Sequence, residues 1–316
     1  MKLAPHALAI PLLLLVAACA QEEAEMLPDF RPLWDFAHPD STEARFMALL
    51  PLAESSGNIT YHAELLTQVA RTKGLQGMFD DGHALLDKVN GMLESAKPSA
   101  RVRYLLERGR LLNSAGYPDS CRHLFLDAYD VALDAHEDGL AIDAAHMMGI
   151  VEPPEKQVEW SLKALDLAER TKDERAKGWL GPLYNNLGWS YHDMGDYERA
   201  LELFQKGLDW RIERGDVPGA LIAQWTVARA NRSLGKIDIA LGLQHALLDR
   251  YEAEGIDPTG YVFEELGELY LLKGDREKAL PYFKQAWDLL SGETWIEQSE
   301  PARYQRLQEL AREAGD

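Results

Sequence analysis

A glycine recurs at Gly77, Gly116, Gly195, Gly235 and Gly274, at intervals of 39, 79, 40 and 39 residues. A fixed period of this size marks one supersecondary unit copied along the chain, and the interval of 79 holds two units, one without its glycine. Counting onward from the glycine, one column reads Gly82, Cys121, Trp160, Ala200, Ala240 and Ala279. Four residues later the column is Leu86, Phe125, Ala164, Phe204, Gln244 and Phe283, and three beyond that Val89, Ala128, Leu167, Gly207, Leu247 and Ala286. Steps of four and three put all three columns on one face of a helix. A glycine that ends one helix and a small residue that starts the buried face of the next describe two antiparallel helices in close approach.

The fullest copy runs from Tyr184 to Phe204, with Tyr184, Leu187, Gly188, Tyr191, Gly195-Asp196, Ala200 and Phe204. Phe263, Leu266, Gly267, Tyr270, Gly274-Asp275, Ala279 and Phe283 repeat it. These spacings resemble the tetratricopeptide (TPR) signature, whose common period is about 34 residues. The longer period here is similar to the extended variety of that repeat. The resemblance implies an all-α, right-handed TPR-type α-solenoid of six helical pairs, at about 63–95, 102–136, 140–171, 178–212, 218–252 and 259–290. Solenoids need covered ends. Residues 41–55 are expected to form a helix over the first repeat, and 299–314 a C-terminal capping helix with Tyr304, Leu307 and Leu310 on one face. The pair at 140–171 is the least faithful, because Trp160 fills a small-residue slot and Glu152-Pro153-Pro154-Glu155 replaces the glycine turn. Local widening or a kink is expected there.

The first forty residues read differently. Met1-Lys2 precedes an apolar run from Leu8 to Val16 that is too short to span a bilayer, which is the pattern of a secretory signal over 1–18. Val16-Ala17-Ala18-Cys19 resembles the bacterial lipobox, which implies lipidation of Cys19 and attachment to the cell envelope through that anchor alone. Ala20 follows the cysteine where aspartate favours retention at the inner membrane, so in a two-membrane cell the outer membrane, facing the periplasm, is expected. Residues 19–41, acidic and then rich in proline and aromatics, read as a tether with little regular structure, with Trp34 and Phe36 folding back onto the first helix. The remaining cysteine, Cys121, sits in the small-residue column and reads as an inert buried thiol.

A formal net charge of −19 argues against a nucleic-acid partner, which requires a basic footprint. There is no paired-cysteine or His-Glu-x-x-His motif, no phosphate-cradling glycine loop and no nucleophile elbow, so neither a catalytic centre nor a metal or cofactor is expected. Glu264, Glu265 and Glu268 lie close together on one helix and read as a solvated acidic face. His146 reads as a core or groove residue rather than a ligand.

In TPR solenoids the first helix of each pair lines the inner groove. The ninth position of that helix runs Arg71, Arg110, Gly149, Trp189, Arg229, Glu268, and neighbouring positions add Arg103, Asn113, Asn185, His192, Trp225, Arg232 and Tyr261. In an acidic chain, arginines and large aromatics gathered on one lining suit an extended, acidic segment of a partner protein. Sugar rings stacking on Trp189, Trp225 and Tyr261, as in an envelope polysaccharide or assembly factor, are the other reading. Asn185, Trp189, His192, Trp225, Arg229 and Arg232 are expected to form one patch, with Arg303 of the capping helix outside it. The clamp lysines by which some TPR proteins hold a peptide terminus are absent from the matching columns.

Overall fold

Helix termination explains the architecture, because every helix here must turn back on its predecessor. The computed structural model describes residues 27–315, so residues 1–18, read as a signal segment, and Cys19 lie outside the described residues. Six antiparallel pairs follow one another: α2 (Ile59–Leu75) with α3 (Phe79–Asn90), α4 (Pro98–Ser114) with α5 (Pro118–Asp134), and α6 (Asp138–Val151) with α7 (Pro154–Arg170). Then come α8 (Leu180–Asp193) with α9 (Tyr197–Glu213), α10 (Val217–Ser233) with α11 (Ile237–Glu254), and α12 (Gly260–Leu272) with α13 (Arg276–Leu290). Ahead of them lies α1 (Pro39–Ser55), and behind them a short α14 (Thr294–Ser299) and α15 (Pro301–Glu313). The result is an all-α solenoid, with no strand among the described residues.

The turn between α8 and α9 shows the local chemistry. Gly195 adopts φ +81°, which a side chain would resist, and its N–H donates back to the His192 carbonyl. Asp196 then caps α9, its side chain accepting from the Arg199 N–H at 3.2 Å. Between α6 and α7 no such glycine exists. There Glu152 and Pro153 are extended, and Pro154 opens α7 with its ring-fixed φ. The deviation foreseen for this pair falls after α7, where residues 171–175 carry no helix and a 3₁₀ turn spans Ala176–Trp179 before α8 begins. α7 itself is continuous.

Within each good pair, a glycine on the first helix receives a phenylalanine ring from the second. A Cβ on Gly109 would meet Phe125 at 2.5 Å, on Gly188 would meet Phe204 at 2.5 Å, and on Gly267 would meet Phe283 at 2.8 Å. All three rings are buried completely or nearly so. Ala200, Ala240, Ala279 and Cys121 are fully buried, as their column requires, and Trp160 is accommodated by setting its ring edge-on to Tyr129 at 5.2 Å.

The ends are packed. α15 buries Leu307 and Leu310 in the cluster formed by Phe283, Leu290 and Ile296. At the other end, the described part of the segment read as a tether, residues 27–38, has little regular structure beyond one 3₁₀ turn and packs on the first helices, with Trp34 edge-on to Phe46 of α1 at 5.2 Å. Phe30 is buried edge-on to Phe46 of α1, and the Trp34 indole N–H donates to Gln68 of α2 at 3.0 Å. Burying these aromatic surfaces outweighs the entropy of a free tether.

Candidate functional site

First helices of consecutive pairs lie side by side, and their offset determines which side chains meet. The contact falls 33 or 36 positions on, one or two turns short of a full repeat. Trp189 of α8 stands 6.1 Å from Trp225 of α10, which stands 6.4 Å from Tyr261 of α12, which stands 6.5 Å from Trp295 of α14. The four rings form a diagonal row across four elements. It is pinned where the Trp225 indole donates to the Tyr261 carbonyl at 3.1 Å and the Tyr261 hydroxyl to Glu293 at 2.7 Å.

Beside this row opens a cleft of about 690 Å³, lined by Trp189, His192, Trp225, Arg229, Arg232 and Tyr261, by the glutamates of α12, and by Arg303 and Arg306 of α15. Arg232 makes a two-pronged ion pair with Glu265 at 2.6 and 2.9 Å, and Arg229 approaches the same carboxylate at 3.8 Å. Arg303 grips Glu264 at 2.5 and 2.8 Å, and Arg306 pairs with Glu268. The layering is consistent. The arginine side chains are 20–49% exposed, whereas the three glutamates are 3–18% exposed. The carboxylates of α12 lie beneath and the four guanidiniums above, while Asp193 and Glu300, 80% and 42% exposed, also line the cleft, so cations and aromatic rings are presented beside an acidic rim. Burial raises the proton affinity of Glu265, while Arg232 and Arg229 oppose that rise. His192 bonds Ser233 at 2.8 Å, and its pKa is lowered by burial and by the Arg229 cation, which keeps the imidazole neutral.

Four expectations change. Glu264, Glu265 and Glu268 are not a solvated face, because each neutralises an arginine and Glu265 is buried. Arg303 is not outside the groove; α15 folds back so that it walls the cleft. Asn185 does not join the patch. It lies one turn before Trp189 and lines a neighbouring pocket of about 280 Å³ with Asn186 and Arg211, donating to the Asn186 side chain at 3.2 Å. Arg71 and Arg110 belong to a separate pocket, with Arg71 3.6 Å from Glu107, 36 positions on, and Arg110 on Asp143, 33 positions on, and on Glu107 of its own helix at 2.6 Å. Of the residues that were missed, Glu107, Asp143 and Trp295 carry a signal that the misread Glu265 shares in kind, an acid 33 or 36 positions after an arginine or an aromatic 34 to 36 after an aromatic, whereas Arg306 follows its acid, Glu268, by 38.

No group of three or more potential metal-binding side chains occurs among the described residues, and no helix there is long and apolar enough to cross a membrane. His146 is partly buried against Trp179, their ring centres 5.5 Å apart.

Two stretches, residues 182–209 and 262–293, match family models described as tetratricopeptide repeat. No curated protein matches the chain in sequence. Among solved structures, the apo form of RapI superposes with a TM-score of 0.67 at 13% identity, over 88% of this chain and 80% of that one. A signal-transduction ATPase with numerous domains from Pyrococcus horikoshii, described as having a tetratricopeptide repeat sensor, gives 0.66 at 14% identity over 85% of this chain. This chain spans 41% of that protein's length. A putative kinesin light chain with TPR-like repeats from Podospora anserina gives 0.52 at 17% identity, over 61% of this chain and 96% of that one. At these identities the likeness is one of fold.

Proposed function

Because the chain is a tetratricopeptide repeat protein, and so a scaffold for protein interaction, we propose that it is a non-catalytic lipoprotein of the bacterial cell envelope that holds an extended, acidic segment of a partner protein. The cleft between α8, α10, α12 and α15 is the holding site. One observation carries this reading: four arginines, each seated on a less exposed glutamate, face a cleft edged by Trp189, Trp225 and Tyr261. Buried counter-charges orient the guanidiniums before anything binds, which lowers the ordering cost of binding a carboxylate in paired hydrogen bonds. The indoles cover apolar side chains lying between the acids. Polysaccharide is less well suited, because successive ring planes are turned by 39° and 71° and offer no continuous flat platform. Lipid on Cys19 would keep the solenoid at the membrane, in a two-membrane cell on the periplasmic side of the outer one.

A photo-crosslinking residue at position 193, where Asp193 is 80% exposed at the cleft rim, tests the docking site in intact cells. A discrete adduct is expected from position 193 and not from position 239 on α11, and Arg229→Glu or Trp189→Ala should remove it. Identical adducts from both positions, or an adduct that survives both substitutions, would move the binding surface elsewhere. Palmitate labelling that is lost in Cys19→Ser tests the anchor independently.

A further inference from the structure

Arg71 and Arg229 stand in equivalent places. Each holds the ninth position of a first helix, and each lies beside a glutamate of the next first helix 36 positions on, 3.6 Å from Glu107 and 3.8 Å from Glu265. Both separations exceed a hydrogen bond. In both places a second arginine holds the same carboxylate at 2.6 Å, Arg110 on Glu107 and Arg232 on Glu265, and the glutamate is 3% exposed. Two cations thus share one buried acid, and the looser of the two, Arg71 or Arg229, remains 28% or 25% exposed on the groove.

What differs is the cover. Over Arg71 lies the chain's own arm, residues 27–38. The ring centres of Trp34 and Phe36 are 5.5 and 5.3 Å from the guanidinium, the two rings stack at 4.6 Å with planes 6° apart, and the Trp34 N–H is fixed to Gln68 of α2. The arm therefore shows a segment of chain seated on a first helix through two aromatic side chains two residues apart. In the cleft, Arg303 and Arg306 already lie over the rings of Tyr261 and Phe283, but no ring covers Arg229 among the described residues.

We propose that the partner segment in the cleft carries two aromatic residues two positions apart, which stack on Arg229 as Trp34 and Phe36 stack on Arg71. The inference rests on the cleft being a peptide-holding site and names what that site selects. A guanidinium offers a planar face to a ring while its edge stays turned to a carboxylate, and the attraction grows as water is excluded. Trp189 and Trp225, which line the same cleft, give the incoming rings apolar walls. The arm's charges suit the cleft as well: Asp29 and Asp35 with Arg31 between them would meet guanidiniums set beside Asp193 and Glu300.

A fluorescently labelled peptide of residues 27–38, titrated against the full-length chain and followed by anisotropy, tests the proposal. Saturable binding is expected, and Arg229→Ala should weaken it about tenfold or more. The same peptide carrying Trp34→Leu and Phe36→Leu keeps its apolar bulk without ring faces and should lose about as much, a comparison that no folding defect can imitate. Arg71→Ala should leave the affinity unchanged. Failure of the unaltered peptide to bind would overturn the proposal, as would loss with Arg71→Ala but not with Arg229→Ala. Equal binding of the leucine peptide would overturn it too; if that binding still required Arg229, the cleft would stand as a peptide site that does not select aromatic pairs.

Discussion

Arg232 and Glu265 meet in a two-pronged ion pair although 33 positions separate them in the chain. The pair joins α10 to α12, and with Arg229 on the same carboxylate it stores two cations against one acid at the floor of the cleft. Removing the acid alone would leave two partly buried guanidiniums facing each other. Glu265→Ala should therefore destabilise the fold by about 3–5 kcal/mol, the cost of breaking a buried pair from one side. Urea denaturation measures it, and a loss below about 1 kcal/mol would mean that water replaces the carboxylate without penalty.

Gly188 has no room for a methyl group. Its added Cβ would lie 2.5 Å from the Phe204 ring, which is itself nearly fully buried. Gly188→Ala should cost about 1–3 kcal/mol through overpacking, in spite of alanine's better helix propensity. The paired change Gly188→Ala with Phe204→Leu should recover part of that loss. A wild-type Tm in the single variant would show that the two helices separate freely.

Gln244 is fully buried on α11, and neither polar atom of its amide has a partner among the described residues. Its column holds Phe125, Phe204 and Phe283 in other pairs. Replacing it by leucine removes two unsatisfied groups at similar volume. Gln244→Leu is expected to stabilise the protein by about 1–3 kcal/mol and to raise Tm. A lower Tm would mean that the amide is solvated in place.

Acid should loosen the molecule before its carboxylates titrate. Burial lowers the pKa of His146 and His192 below the ordinary 6.5, so both are neutral in the fold. Their share of the stability is complete above 6.5 and is lost as pH falls from there through the lowered folded values. Across His192 stand Arg229, Arg232 and Asp193, and the two cations oppose protonation. Stability measured from pH 7 to 5 should fall in the wild type, and the slope should be shallower in His192→Gln. An unchanged slope would assign the effect to other groups.

Helix pairing could be read from local spacing. Gly195 before Asp196, Ala200 and Phe204 at four-residue steps, and their copies 79 positions later report contacts within one pair, where sequence distance and spatial distance run together. The site was legible in part, since Trp189, His192, Trp225, Arg229, Arg232 and Tyr261 do line one cleft. Asn185 lies on the same helix one turn earlier and falls into the next pocket, because the offset between α8 and α10 divides the face there.

By itself, then, the sequence determined the solenoid: periodic glycines and small residues leave antiparallel helix pairs as the only way to bury the phenylalanine columns. Tertiary structure alone decided which charges are neutralised and which are presented. Glu265 looked like one acid among three on an exposed face until α10 laid Arg229 and Arg232 over it, and Arg303 looked remote until α15 turned back. The physical reason is that the electrostatics of a side chain depend on what is packed across from it. In a solenoid, that neighbour lies 33 to 39 residues away, at an offset set by how the helices stack.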